Sequence, residues 1–100
     1  MRHTRTDASD DGPVLTIEGT LDAVTAPELR PVLDAIVGEK RNPITIDLSS
    51  LRLIDSSGVG VLVSLFKRVR ANGGEVRIVG LRDQPKAIFR LLRLDRVFPG

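Results

Sequence analysis

Three short segments of this chain alternate apolar with polar residues, and each is followed by a stretch in which apolar residues recur every three or four positions. The segments are Val14-Leu15-Thr16-Ile17-Glu18, Ile44-Thr45-Ile46-Asp47-Leu48 and Glu75-Val76-Arg77-Ile78-Val79. A period of two belongs to a strand, whose successive side chains leave opposite faces; a period near 3.6 belongs to a helix. Strand–helix alternation predicts right-handed βαβ crossovers and a mostly parallel sheet. The clean alternation adds a further constraint. Sheets covered on both faces have strands that read as continuous apolar runs. Here Leu15, Ile17, Ile44, Ile46, Leu48, Val76 and Ile78 share one face, while Thr16, Glu18, Thr45, Asp47 and Arg77 share the other. The expectation is a single small α/β domain over residues 1–100, with a mostly parallel sheet and helices packed mainly on one face.

Strands are predicted at 14–18, 44–48 and 75–79, with an edge strand within residues 3–7. Helices are predicted at 26–37, 57–71 and 85–93. Thr25 and Glu28 have the spacing of a capping box, and Pro27 falls in the first turn, where its missing N–H costs nothing. Leu29, Val32, Leu33, Ile36 and Val37 continue that helix, and Gly38 can close it. The second helix carries a stripe of Val59, Leu62, Val63, Phe66 and Val69, with Lys67, Arg68 and Arg70 near its end, where cations suit the helix dipole. Asp83-Gln84-Pro85 opens the third, with Ile88, Leu91 and Leu92 expected inward. Asp10-Asp11-Gly12-Pro13 signals a turn. Residues 49–55 read as a connection between the second strand and the second helix.

Composition removes several kinds of function. The 100 residues include no cysteine, which excludes a disulfide scaffold, thiolate zinc sites and thiol chemistry. The single histidine, His3, stands near the N-terminus, which argues against a Ser-His dyad or a multi-histidine metal site. With three Phe and no Trp or Tyr, the chain is poor in the stacking platforms used by single-strand nucleic-acid readers, and no direct nucleic-acid partner is expected. No apolar run approaches the ~20 residues of a membrane span, so a cytoplasmic protein without a membrane partner is expected. Charge is unevenly spread. Residues 1–50 carry five basic and nine acidic groups, residues 51–100 ten basic and four acidic. Such a split suits either an electrostatic contact with a partner or solvated arginines on helix faces.

The distinctive segment is Asp55-Ser56-Ser57-Gly58-Val59-Gly60, where a connection turns into a helix. The serines can be caps, accepting from the free N–H groups of the first turn, with Gly58 allowing close packing. Alternatively, one of them is a phosphoacceptor, because a helix N-terminus tolerates a dianion. Catalysis fits poorly, since a nucleophilic serine needs a base nearby and Lys67 lies three turns along the helix. Gly58-Val59-Gly60 lacks both the third glycine of a dinucleotide fingerprint and the Gly-Lys-Ser/Thr of a P-loop. Asp47 and Asp55 could hold Mg²⁺, but a strand-exposed Asp is more often just solvated. No catalytic residue, cofactor or metal site is expected.

The run from Ile44 to Leu62, with Asp55-Ser56-Ser57-Gly58 at its centre, resembles the signature of the STAS domain. Gly19-Thr20-Leu21-Asp22 resembles the family's Gly-Glu-Leu-Asp, with Thr20 where Glu is usual. Gly73-Gly74-Glu75 and the segment from Ile88 to Phe98 match as well. The stand-alone length and the intact Asp-Ser-Ser-Gly fit the anti-sigma factor antagonist branch rather than the branch fused to membrane spans. That resemblance implies a partner, an anti-sigma factor with serine kinase activity, which binds the antagonist and so gives up its sigma factor. It implies phosphorylation of Ser56 as the off switch and a phosphatase that reverses it. It also implies a partner surface made of Asp22, Asp55, Ser56, Ser57, Gly58 and Val59 on a monomer or weak dimer. The alternative within the family is a non-switching adaptor, such as a stressosome-like scaffold or a lipid-transporter subunit.

Overall fold

A computed structural model describes residues 1–7 and 12–96. The expected turn at 10–13 falls partly outside these, as do the last residues of the segment from Ile88 to Phe98. The elements run β1 Arg2–Thr6, β2 Val14–Leu21, α1 Ala26–Gly38, β3 Ile44–Asp47, β4 Leu51–Ile54, α2 Ser56–Ala71, β5 Val76–Val79 and α3 Asp83–Leu91, followed by a 3₁₀ turn at Leu94–Arg96. The strands form one sheet in the order β1-β2-β3-β5, with β4 paired to β2. β1 is an edge strand, as expected, and runs antiparallel to β2; the pairs β2–β3, β2–β4 and β3–β5 are parallel.

Alternation along the strands becomes a one-sided core. Leu15, Ile17, Ile44, Ile46, Leu48, Val76 and Ile78 are all buried. Their neighbours Thr16, Glu18, Thr45 and Asp47 are only half-buried, and Arg77 is exposed. The helices therefore cover one face of the sheet. Leu29, Leu33, Ile36 and Val37 are the buried side chains of α1 beyond its first residue, and Val32 is half-buried. In α2 the buried residues are Val59, Val61, Leu62, Leu65 and Val69, whereas Val63 and Phe66 are half-buried. The expected stripe was too narrow because α2 packs on α1 as well as on the sheet. Val61 and Leu65 line the cleft shared with α1, across which Arg68 pairs with Asp34.

Three departures from the sequence reading have physical causes. Residues 49–55 contain a strand. β3 and β4 both run along β2, but Val14 lies opposite Thr45 while Leu21 lies opposite Ile54, so the offset grows along the chain. The slip is a bulge, with Gly19 opposite Leu51 and Thr20 opposite Leu53. It leaves β4 buried only at its two ends, Leu51 and Ile54, a pattern with no period-two signal. The second departure is at α3, where Pro85 and Phe89 point inward and Leu91 and Leu92 are 76% and 50% exposed. Leu91 is off the face set by Pro85 and Phe89. Leu92 ends the helix as its C-cap, and Arg93 then turns away with φ 57°. The third is the start of α1. Thr25 makes no side-chain cap; its hydroxyl donates to the Thr20 carbonyl (2.9 Å) and accepts from the Asp22 N–H (2.9 Å).

α2 is pressed hard onto the sheet at one point. A Cβ on Gly58 would stand 2.6 Å from the Leu21 carbonyl oxygen and 2.7 Å from Ile54 Cγ1, whereas one on Gly60 would meet nothing within 4 Å. Gly58→Ala is expected to cost about 1–3 kcal/mol through overpacking against backbone. Gly60→Ala should stabilise by roughly 0.5–1 kcal/mol, since alanine is the better helix former. Chemical denaturation of the two variants checks this; equal effects would contradict the close approach at Gly58.

Candidate functional site

The parallel pairing of β2 with β4 brings the exits of both strands together. Leu21 ends β2 and Ile54 ends β4, directly across from one another. The Asp55 N–H donates to the Leu21 carbonyl at 3.2 Å, so pairing continues one step beyond β4. The loop after β2 and the first turn of α2 are thus neighbours, as expected of parallel strands whose C-terminal ends gather on one edge of the sheet.

Asp55 is the N-cap of α2. Its backbone is extended, at φ −116° and ψ −173°, and its Oδ1 accepts from the N–H groups of Ser57 (2.9 Å) and Gly58 (3.1 Å). Its Oδ2 accepts from the Ala23 N–H at 3.3 Å. One carboxylate therefore satisfies free donors of the helix and ties that helix to the opposite loop. The capping role weighed for the serines belongs to Asp55 instead. Ser56, the first residue of α2, is exposed, and Ser57 is half-exposed. Gly58 and Val59 are buried, so they form the floor under the turn rather than surface that a partner can touch.

The loop after β2 is organised by Asp22. Its Oδ1 accepts from the N–H groups of Val24 and Thr25, each at 3.0 Å. Donation by the Thr25 N–H, then by the Val24 N–H, holds the Asp22 carboxyl below the usual carboxylate range, against a partial desolvation that pulls it upward. The loop raises Ala23 and Val24 into solvent, and Val24 is 81% exposed. Sequence reasoning passed over Val24 because a lone apolar residue in a turn has no periodic signal. It also passed over Ala23, whose contribution is a backbone N–H, and Gln84, whose side-chain amide bonds to the backbone of Ile54 from 30 residues away.

Asp22 gives the loop a pH dependence of definite sign. A carboxyl with a depressed folded-state pKa stabilises its conformation above the unfolded value and loses that contribution as pH falls through the folded value. The Val24 and Thr25 amide resonances should therefore titrate together, with a midpoint below the ordinary aspartate range. A midpoint at or above that range would show that the two N–H bonds to Asp22 are absent.

Residues 3–100 match the STAS domain family. Among curated relatives, the chain is 33% identical over 81 residues to the anti-sigma-B factor antagonist of Listeria monocytogenes, covering 81% of this chain and 71% of that protein. It is 31% identical over 78 residues to the anti-sigma-B factor antagonist of Staphylococcus aureus, covering 78% and 72%. Among solved structures, an anti-sigma factor antagonist from Mycobacterium paratuberculosis superposes with a TM-score of 0.88 at 26% identity, over 98% of this chain and 82% of that one. The mostly parallel sheet covered on one face, the Asp55-capped helix and these matches agree: the chain belongs to the STAS domain family.

Proposed function

We propose that this protein is an anti-sigma factor antagonist, a binding module without catalytic activity. It occupies an anti-sigma factor and is released when Ser56 is phosphorylated. The observation that carries the reading is the division of labour at the start of α2. Asp55 does the capping, which leaves the Ser56 hydroxyl outside the cap bonds on an exposed first turn. The antagonist names of the curated relatives support the choice of partner. The docking surface consists of Asp22, Ala23 and Val24 from one strand exit and Asp55, Ser56 and Ser57 from the other. Gly58 and Val59 contribute the packing beneath it. The partner is an anti-sigma factor with serine kinase activity, and a phosphatase reverses the mark. No cofactor, nucleic acid or membrane is needed, and one STAS-like domain over residues 1–100, monomeric or weakly dimeric in the cytoplasm, suffices.

The switch works through charge and bulk. A phosphate adds about −1.5 to −2 charges at pH 7. The amides of Ser57 and Gly58 are already taken by Asp55, so the dianion meets the Asp55 carboxylate on one side and turns outward, into the docking surface. An unpaired charge trapped in a dry interface costs several kcal/mol, and each 1.4 kcal/mol is about tenfold in affinity. Near a helix N-terminus the same charge is mildly favourable, so the fold survives it.

Incubation with the cognate anti-sigma factor and ATP, followed by intact-mass measurement, should add one phosphate to the native chain and none to Ser56→Ala. Ser56→Asp should bind that anti-sigma factor at least about tenfold more weakly by calorimetry. Phosphate retained by Ser56→Ala, or full-strength binding by Ser56→Asp, would refute the assignment. The docking surface has its own test in Val24→Ser. Because Val24 is 81% exposed, its loss should leave the melting temperature within about 2–4 °C, since surface substitutions cost within ±0.5 kcal/mol. Anti-sigma factor binding should fall about fivefold or more, as expected when an interfacial apolar contact is lost. Unchanged binding would remove the Asp22–Thr25 loop from the interface.

A further inference from the structure

The edge of β4 that faces away from β2 has no strand beside it among the described residues. β5 ends at Val79, level with Asp47, and the chain leaves the sheet at Gly80, whose φ of 78° and closeness to Ser49 leave no room for a side chain. The vacant place in the ladder is filled by a side-chain amide. Gln84, in the first turn of α3, accepts from the Ile54 N–H through Oε1 at 2.9 Å and donates through Nε2 to the Ile54 carbonyl at 2.9 Å. These are the two bonds that a paired residue of a neighbouring strand would make. On the opposite side, the next amide in the chain, that of Asp55, donates to Leu21. The backbone is therefore gripped from both sides one residue before the cap of α2.

Gln84 is itself firmly placed. It follows Asp83, a non-glycine residue at φ 54°, and precedes Pro85, which is buried. The left-handed conformation is unfavourable for a residue with a Cβ, although aspartate tolerates it better than most. The start of α3 thus accepts a strained backbone in the geometry that delivers an amide to Ile54.

We propose that Gln84 is a positioning residue for the Asp55–Ser56 turn, so that α3 fixes the geometry in which Ser56 is offered to the kinase. The inference rests on the reading of Ser56 as phosphoacceptor. It requires both halves of the amide, one acceptor and one donor. Leucine at this position would remove both bonds at similar volume. A carboxylate would keep the acceptor but set a second oxygen against the Ile54 carbonyl, and protonation would restore the donor.

The test uses the full chain with Gln84→Leu and Gln84→Glu, measured between pH 4 and 8, a range that spans the ordinary glutamate titration. Each variant is expressed as a ratio to the native chain at the same pH. The charged groups around this position, Asp55 at the turn, Arg52 on β4, Arg82 just before α3, and Asp83 and Lys86 on it, are common to all three chains, so the ratio isolates the substitution. Hydrogen-exchange protection of the Ile54, Ser57 and Gly58 amides should fall about tenfold in Gln84→Leu at every pH, the scale of one or two hydrogen bonds, while amides of β2 and β3 keep theirs. Gln84→Glu should match that loss at pH 8 and recover toward the native value as pH drops. Phosphate incorporation at Ser56 from the anti-sigma factor and ATP should follow the same two profiles. Protection unchanged in both variants, a Gln84→Glu ratio that is flat with pH, or an equal loss across β2 and β3 would overturn the proposal. A native chain that takes no phosphate at Ser56 would sink the phosphoacceptor reading, while the exchange profiles would still decide whether Gln84 positions the turn.

Discussion

The two oxygens of Asp55 join parts of the molecule that are 32 residues apart in sequence. One oxygen closes the amino end of α2, and the other catches the backbone of the loop after β2. This works only because β4 runs parallel to β2 and releases Asp55 at the same height as Leu21. The requirement propagates outward. α2 must start within contact of the sheet, hence a glycine at 58. The loop must turn sharply, hence the bonds of Asp22 to Val24 and Thr25. The outer edge of β4 must be held, hence the amide of Gln84.

Sheet bulges usually re-aim a strand, and the one between β2 and β4 does so here. The Asp47 carboxylate accepts from the Ser49 N–H at 2.9 Å as the chain leaves β3, and the two strands form one line broken by a short detour. The detour returns a buried Leu51 to the core face and leaves Arg52 and Leu53 exposed. Without it, strict alternation from Leu48 would put residues 50, 52 and 54 on the core side, two of them Ser50 and Arg52. The detour sets Leu51 inward, and the bulge at Arg52 then sets Ile54 inward.

What could be read from the sequence was whatever repeats. Leu15 and Ile17, Ile44 and Ile46, and Val76 and Ile78 announce their face by period, and all are buried. The Asp-Ser-Ser-Gly segment was legible because aspartate and serine are the residue types that open helices, and the loop at Asp22 because strand exits share an edge in a parallel sheet. What failed to show were single, non-periodic events. β4 is buried only at its ends, and Thr25 looked like a cap but bonds backward to Thr20. The choice between Asp55 and the serines as cap depended on backbone angles at one residue. Gln84 reads as an ordinary polar residue at a helix start, and its bonds to Ile54 exist only once the chain has folded.

The place of Ser56 inside the first helical turn has a consequence for what a modifying enzyme must recognise. The hydroxyl is presented by a backbone already committed to a helix, flanked by a loop from another part of the chain. A peptide spanning residues 50–62 would contain the same letters and none of that shape. If Ser56 accepts phosphate as proposed, the recognised epitope is conformational rather than linear, and an unfolded or half-made copy is invisible to the kinase. Each phosphate would then certify a correctly folded molecule, and the amount of mark in a population would count native chains rather than total chains.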